Sequence, residues 1–243
     1  MKPFLLLATR EDDAVADAEA AAVARYGGLG PGELVRVRLE RDPMPELDLA
    51  GVSGIVVGGS PFCTSDPEEA KSAAQRRVER ELALLLDRVV AGDVPFLGAC
   101  YGIGTLGVHQ GGVVDRAFGE PIGTVPVSLT DAGRADPVFG DLPATFDAFV
   151  GHKEALRVPP PHAVVLATSP SCPVQAFRVG RNLYATQFHP ELDAEGIVQR
   201  VTAYRDEGYF RPEEFDDVVA RVRGARAEAA QRVLRRFVDR YRR

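Results

Sequence analysis

Lysine is nearly absent from this 243-residue chain: it occurs only at positions 2, 71 and 153, and arginine carries almost all of the positive charge. With 29 basic against 35 acidic side chains the net charge is −6, which gives no general pull toward nucleic acid. Cysteine is also scarce. Cys63, Cys100 and Cys172 are odd in number and widely separated, which argues against a disulfide framework and for a reducing, cytoplasmic compartment. Long apolar runs are missing too: Phe4 to Ala8 falls far short of the roughly 20 residues a membrane helix needs, and no secretory leader is visible. There is no internal repeat and no low-complexity linker. What remains, 45% hydrophobic and 26% charged residues, is the composition of one large α/β domain with a sizeable core.

In chain order, Lys2 to Thr9 is a continuous apolar run typical of a strand buried on both faces, and Thr9 is placed to cap the helix that follows. That helix carries acidic residues at 11 to 13 in its first turn and ends at Gly27-Gly28. Glu33 to Leu39 alternates apolar and charged residues as a second strand, and Gly54 to Val57 is a third, running into Gly58-Gly59-Ser60-Pro61. Two glycines there let backbone amides approach a ligand, although such a turn alone is weak evidence of one. Asp66-Pro67-Glu68-Glu69 has the pattern of a cap, a first-turn proline and a capping-box glutamate. The helix it predicts buries Val78, Leu82, Leu85, Leu86 and Val89 and closes at Gly92.

The stretch Val94-Pro-Phe-Leu-Gly-Ala-Cys-Tyr-Gly-Ile-Gly-Thr-Leu-Gly107 then breaks at Gly98 and restarts as a helix, with Cys100 at the bend. A buried parallel strand that turns sharply into a helix strains the turn residue and exposes its side chain at the carboxyl edge of the sheet. Gly98 and Gly102 supply the small neighbours this geometry needs, and a helix N-terminus favours thiolate over thiol, so Cys100 is the expected reactive cysteine. Strand, helix, strand in this order brings the Gly58-Gly59 turn and Cys100 to the same edge. Beyond it, Val113 to Arg116 and Ile122 to Leu129 alternate like antiparallel strands, Asp136 to Phe139 resembles a surface turn, and Phe146 to Val150 leads into Gly151-His152-Lys153-Glu154. Further strands are expected at 163–168, 174–179 and 183–187, the last ending in Phe188-His189-Pro190-Glu191. From about residue 194 there are two helical patterns, one to Tyr209 and one opened by Pro212. The twelve arginines and eight acidic residues from Arg200 onward are interspersed in the manner of a solvated helix face.

His189 and Glu191 give Cys100 a chemical partner. A His-Pro-Glu segment leaving a strand can put both side chains on one side, the imidazole taking the thiol proton while the carboxylate fixes its tautomer. Attack on an amide carbonyl needs donors for the oxyanion, and the backbone amides of Gly59 and Tyr101 are the two this geometry predicts. His109 and His162 fit no such arrangement.

Gly58-Gly59-Ser60-Pro61, Gly98-Ala-Cys-Tyr-Gly102 and Gln187-Phe-His-Pro-Glu191, in that order, resemble the class I (triad) glutamine amidotransferases, in particular the glutaminase domain of GMP synthase and its free-standing relatives. The likeness spans about residues 3 to 192. It implies a three-layer, flavodoxin-like open sheet, mostly parallel with antiparallel additions, over residues 1–193, with a helical extension at 194–243 packed on the same domain. It also implies a Cys100 nucleophile, a His189 base and acid, and an orienting Glu191, releasing ammonia from glutamine through a γ-glutamyl thioester without metal or cofactor. Gly58, Ser60 and His152 fall where the family contacts substrate. One departure stands out: the family continues Cys-x-Gly-x-Gln, whereas here Gly104 replaces the glutamine that touches substrate. That change leaves room for another γ-glutamyl amide or peptide, for a pocket completed by other residues, or for activity that depends on a partner. A γ-glutamyl hydrolase and a non-catalytic binding module therefore stay open as alternatives. The roughly 50 residues after Glu191 are too few for a synthetase domain, so ammonia would pass to a separate chain. No nucleic acid or membrane partner is implied, and nothing here sets an oligomeric state.

Overall fold

The apolar run near the N-terminus forms β1 (Phe4–Ala8), every residue buried, in a computed structural model that describes residues 1–206 and 208–243. The helix after it, α1 (Asp13–Gly27), is capped by Asp12 rather than by the expected Thr9: the Asp12 carboxylate accepts from the Val15 N–H at 2.9 Å. Thr9 instead donates its hydroxyl to Gly59 O at 3.3 Å, and Arg10, between strand and helix, turns inward. Gly28 ends α1 with a left-handed backbone, φ 64°. After β2 (Leu34–Arg38) and β3 (Gly54–Val57) the chain makes only a single 3₁₀ turn at Glu68–Ala70 where Asp66 was expected to open a long helix. That helix, α2 (Ala73–Ala91), starts instead under Ser72, whose hydroxyl accepts from Gln75 N–H at 3.0 Å. The intervening Lys71 is extended and pairs with Glu79 at 2.7 Å. The buried stripe Val78, Leu82, Leu85, Leu86 and Val89 is as the spacing predicts, each such side chain contributing about 1.5–3 kcal/mol of burial.

Next come β4 (Phe96–Ala99) and α3 (Tyr101–His109). β5 (Val113–Asp115) and β6 (Glu120–Leu129) do not pair with each other: β5 forms a small separate ladder with β8 (Ala155–Val158), a strand the sequence did not suggest, while β6 lies between β9 (Val164–Thr168) and β7 (Thr145–His152). A short helix, α4 (Asp131–Ala135), precedes the segment expected to be a surface turn. Val138 and Phe139 are in fact fully buried there, and the Asp136 carboxylate is held by the Val138 N–H at 2.8 Å and by Arg178 at 3.0 Å. After β10 (Ala176–Val179) and β11 (Leu183–Thr186) the described residues form three helices rather than two. These are α5 (Ala194–Ala203), α6 (Phe215–Arg223) and α7 (Glu228–Tyr241), with Gly224 separating the last two.

The main sheet has the order β2-β1-β3-β4-β11-β10-β9-β6-β7, parallel from β2 through β11 and antiparallel thereafter. Period-two alternation sorts its side chains onto two cores. Phe4, Leu6, Val56, Leu97 and Tyr184 face Val233, Leu234, Phe237 and Val238 of α7, while Leu5, Leu7, Ile55, Val57, Phe96 and Leu183 face the α2 stripe and Ile103 and Leu106 of α3. A smaller cluster packs Ile122 and Phe149 against Ile197, Val201, Val218 and Val222 of α5 and α6. The result is a three-layer α/β arrangement. β4 pairs in parallel with β3 on one side and β11 on the other, so Val57, Ala99 and Thr186 stop at one edge, and Cys100 N–H donates to Thr186 O at 2.8 Å. Among the described residues no helix is long and apolar enough to cross a membrane.

Candidate active site

Cys100 sits between β4 and α3 with φ 53° and ψ −92°, and Asp93 is the only other described non-glycine residue with positive φ. Such a backbone is costly and persists only where the surroundings enforce it. Gly98 is part of the enforcement: a Cβ there would stand 2.7 Å from the Gly102 backbone, so only glycine lets α3 fold back on its own strand. Gly102 is less critical, since its Cβ would meet Val57 O at a tight 3.3 Å.

From the end of β11, His189 Nδ1 lies 2.9 Å from Glu191 Oε1, with both side chains buried. The pair does not stand alone. Arg200 of α5 reaches it from the other side, Nη1 at 2.9 Å from His189 Nδ1 and Nη2 donating to Glu191 Oε1 at 2.9 Å. The same Nη2 donates to Glu19 Oε1 of α1 at 3.2 Å, and Glu19 Oε1 also accepts from Arg10 Nε at 2.8 Å. Arg10 Nη1 in turn donates to the Tyr204 hydroxyl at 2.8 Å. Two carboxylates and two guanidiniums thus form one buried, charge-balanced chain that ends on the imidazole.

Burial opposes ionisation of Glu191, but the His189 and Arg200 charges overcome it and hold this carboxyl well below the usual carboxylate range. Burial lowers the His189 pKa; the neighbouring Glu191 charge pushes the other way, and Arg200 assists the lowering. Burial pushes the Cys100 thiol up to about 12, against the pull of Arg10 and then Arg200. The sequence led to the opposite expectation, a thiolate favoured by the helix N-terminus; the loss of water around the sulfur pushes the other way. Cys100 is nevertheless partly exposed, whereas Cys63 and Cys172 are buried and also raised, each to about 11, mainly by burial.

Two depressions meet at the sulfur. One, of about 330 Å³, is lined by Arg10, Cys100, His189, Arg200, Tyr204 and Tyr209 among others. The other, of about 280 Å³, is lined by Cys63, Cys100, Tyr101, His152 and Glu154 among others, and the two share Ser60, Gly151 and Tyr209. Cys100 and His189 therefore face the same cavity, with no hydrogen bond between them among the described residues. The Gly58-Gly59 turn closes one wall. Neither glycine has positive φ; close approach explains them, because a Cβ on Gly58 would come within 2.5 Å of Glu19 Oε2, and one on Gly59 within 2.4 Å of Arg10 Nη2. The Gly58 N–H is taken by Leu7 O at 3.1 Å, leaving the Gly59 amide as the next along, while Tyr101 begins α3 and has no acceptor inside its helix. The Ser60 hydroxyl accepts from Phe62 N–H at 3.0 Å.

His152 borders the second depression, but both ring nitrogens are engaged, Nδ1 at 2.8 Å from Glu154 O and Nε2 at 2.7 Å from Glu120 Oε2. Its ring shapes the turn and offers the cavity no free nitrogen. At Gly104 the space a side chain would enter is occupied: a Cβ would lie 3.1 Å from Thr64 Oγ1 and 3.4 Å from Glu154 Oε1. Glu154 is fixed there by the N–H groups of Thr64 and Ser65, both at 2.7 Å, and the buried Thr64 hydroxyl has no partner among the described residues. His109 pairs with Asp87 and His162 with Gln110, both away from the site.

Sequence reasoning missed Arg10, Glu19, Glu154, Arg200, Tyr204 and Tyr209. Two of them left a trace: Glu19 interrupts the buried stripe Val15, Ala16, Val23 of α1, and Arg200 sits between Ile197 and Val201 on the buried face of α5. A charge on an apolar stripe needs a buried partner. Arg10 left a fainter one, since it follows directly on the carboxyl end of β1.

The family model for glutamine amidotransferase class-I matches residues 32–200. The chain belongs to the class I glutamine amidotransferase family. The matched span contains Cys100, His189, Glu191 and Arg200, and leaves out Arg10 and Glu19 on one side and most of the three C-terminal helices on the other. Among curated relatives, a GMP synthase (glutamine-hydrolysing) of Xylella fastidiosa is 30% identical over 155 residues, covering 62% of this chain and 27% of that protein. The chain thus spans about a quarter of the length of the curated relatives it matches. Among solved structures, a glutamine amidotransferase of Thermotoga maritima aligns with a TM-score of 0.75 at 21% identity, covering 99% of this chain and 98% of that one. A glutamine amidotransferase of Methylobacillus flagellatus gives 0.72 at 20% identity, with 100% and 96% covered. These two likenesses show that the fold shared with those structures runs across the last three helices as well.

Proposed function

We propose that the protein hydrolyses glutamine to glutamate and ammonia through a γ-glutamyl thioester on Cys100, either for a separate ammonia-accepting synthetase chain or as a free-standing enzyme. The observation that carries this reading is the opening of the strained Cys100 and of His189, backed by the buried Glu191, onto one cavity. With Nδ1 turned to Glu191, Nε2 is the ring nitrogen left to exchange a proton. The thiol proton moves to Nε2 as sulfur bonds to the amide carbon and the carbonyl electron pair shifts to oxygen. The Gly59 and Tyr101 amides receive that oxyanion, each donor being worth about 3 kcal/mol. The imidazolium then gives its proton to the amide nitrogen, the C–N bond breaks and ammonia leaves. Water hydrolyses the thioester by the reverse proton path. Glu191 holds the ring in the tautomer that makes this possible.

Substrate identity turns on Gly104. In our reading the Glu154 carboxylate, which lines the second depression beside Cys100, takes over the contact that the family's glutamine makes, and it suits an α-ammonium group. The same observation favours one second reading, a γ-glutamyl hydrolase whose substrate is another γ-glutamyl amide or peptide. We read residues 1–193 as the amidotransferase-like domain and 194–243 as a helical extension packed on it. The synthetase reading draws on the curated relatives, which are named as glutamine-hydrolysing GMP synthases and are far longer than this chain.

Intact-protein mass spectrometry after brief exposure to glutamine, to other γ-glutamyl amides and to a glutamine-mimicking electrophile tests nucleophile and substrate together. A γ-glutamyl adduct on Cys100 with glutamine is the expected result. Turnover confined to the other amides selects the second reading. No adduct with any of them, and no ammonia release in the presence of candidate synthetase chains, leaves a binding module.

A further inference from the structure

Arg10 lies outside the span matched to the family and belongs to neither the Cys-His-Glu set nor the predicted oxyanion turn, yet its guanidinium is built into the site. The residue is 3% exposed. Glu19 holds Nε at 2.8 Å and the Tyr204 hydroxyl holds Nη1 at 2.8 Å, which fixes the plane of the group and leaves Nη2 to the cavity side. A Cβ built on Gly59 would stand 2.4 Å from that Nη2 and 2.9 Å from His189 Cε1. That guanidinium nitrogen, which has no hydrogen-bond partner among the described residues, the edge of the imidazole and the oxyanion turn therefore converge on one glycine. Arg10, Cys100 and His189 also line the same depression.

We infer that Arg10 is a further catalytic residue, whose Nη2 hydrogen-bonds the oxyanion beside the Gly59 and Tyr101 amides and whose fixed charge steadies the Cys100 sulfur as it gives up its proton. This rests on the thioester reading above. Two anions follow each other in the cavity during attack, first sulfur and then oxygen, in a site that already holds two carboxylates. A cation clamped in place beforehand stabilises both without reorganising at the moment of reaction. Of the charges around Cys100, Arg10 does most to draw its thiol back from the value that burial imposes. Arg10 itself transfers no proton: Glu19 and Tyr204 together raise its pKa despite burial, so it donates a hydrogen bond and stays charged throughout.

The test compares wild type with Arg10→Lys, Arg10→Met and the double variant Arg10→Met/Glu19→Gln, which removes the carboxylate charge that the single change would leave unpaired. Iodoacetamide alkylation of Cys100 is followed by intact mass across pH, and ammonia release from glutamine gives kcat and KM. Arg10→Met should slow Cys100 alkylation about tenfold at each pH and lower kcat by about 10²-fold at little-changed KM, and Arg10→Lys should recover part of both. A folded double variant with the wild-type alkylation profile and wild-type kcat overturns the inference. The alkylation arm reads Arg10 whatever the substrate proves to be. A wild-type Cys100 that is neither alkylated nor acylated sinks the thioester reading and this inference with it, whereas an active wild type matched by its Arg10 variants sinks this inference alone.

Discussion

Burial pushes the Cys100 thiol up to about 12, so free thiolate is scarce at neutral pH, and in the proposed mechanism the proton passes to His189 within the attack itself. Cys100→Ala should therefore show no γ-glutamyl adduct by mass, and His189→Ala should fall nearly as low. Glu191→Gln should retain activity reduced by about 10³–10⁴-fold, because it upsets the tautomer and not the nucleophile. The pH dependence of kcat/KM carries a signed test. In its proposed role as base His189 must be neutral, and its pKa is lowered from 6.5, so the acid limb should lie below pH 6.5. Arg200→Met removes a charge that lowers this pKa and should move the limb up, while Glu191→Gln removes one that raises it and should move the residual activity's limb down. Cys100, His189 and Glu191 were legible because each sits in a short linear pattern. Arg10 and Arg200 were not, because their meaning lies in Glu19 and Glu191, which reach them from other elements.

Strand ends and helix starts decide whether those side chains meet. Gly98→Ala drives a methyl to 2.7 Å of the Gly102 backbone and should destabilise the protein measurably in a denaturant titration while also lowering activity, since the Cys100 backbone depends on that approach. Ser72→Ala should cost about 1 kcal/mol in the same titration, and Asp66→Ala much less, because Ser72 and not Asp66 caps α2. The stripes of α2 and the alternation of β1, β3 and β4 could be read from the chain because burial on a regular element repeats with the element's own period. The caps could not: Thr9 and Asp66 are good capping residues displaced because Arg10 has to turn inward and Lys71 has to reach Glu79. β8 escaped notice because four residues with two exposed leave too little pattern.

Over the whole molecule, α7 covers one sheet face with Val233, Leu234, Phe237 and Val238, and α5 brings Arg200 to the site. A chain truncated after residue 193 should consequently be insoluble or unfolded on expression, and Phe237→Ala in the full chain should cost about 3–5 kcal/mol by chemical denaturation. Acid should act on the network as well. The Glu191 and Glu120 carboxyls both bind protons more weakly folded than unfolded, so the stability they confer is complete above about pH 4.5 and is lost as pH falls through their lower folded values. Thermal midpoints measured from pH 7 down to pH 3 should begin to fall below about pH 6.5, where the unfolded His189 takes up a proton that the folded ring resists, and should fall more steeply below about pH 4.5. The parallel pairing of β4 with β11 has a temporal consequence. It joins segments more than eighty residues apart, a loop closure that comes late compared with the formation of nearby helices. During renaturation from denaturant, far-ultraviolet ellipticity should recover before turnover does, so a half-formed molecule would have its sulfur in hand but nothing yet to take the proton.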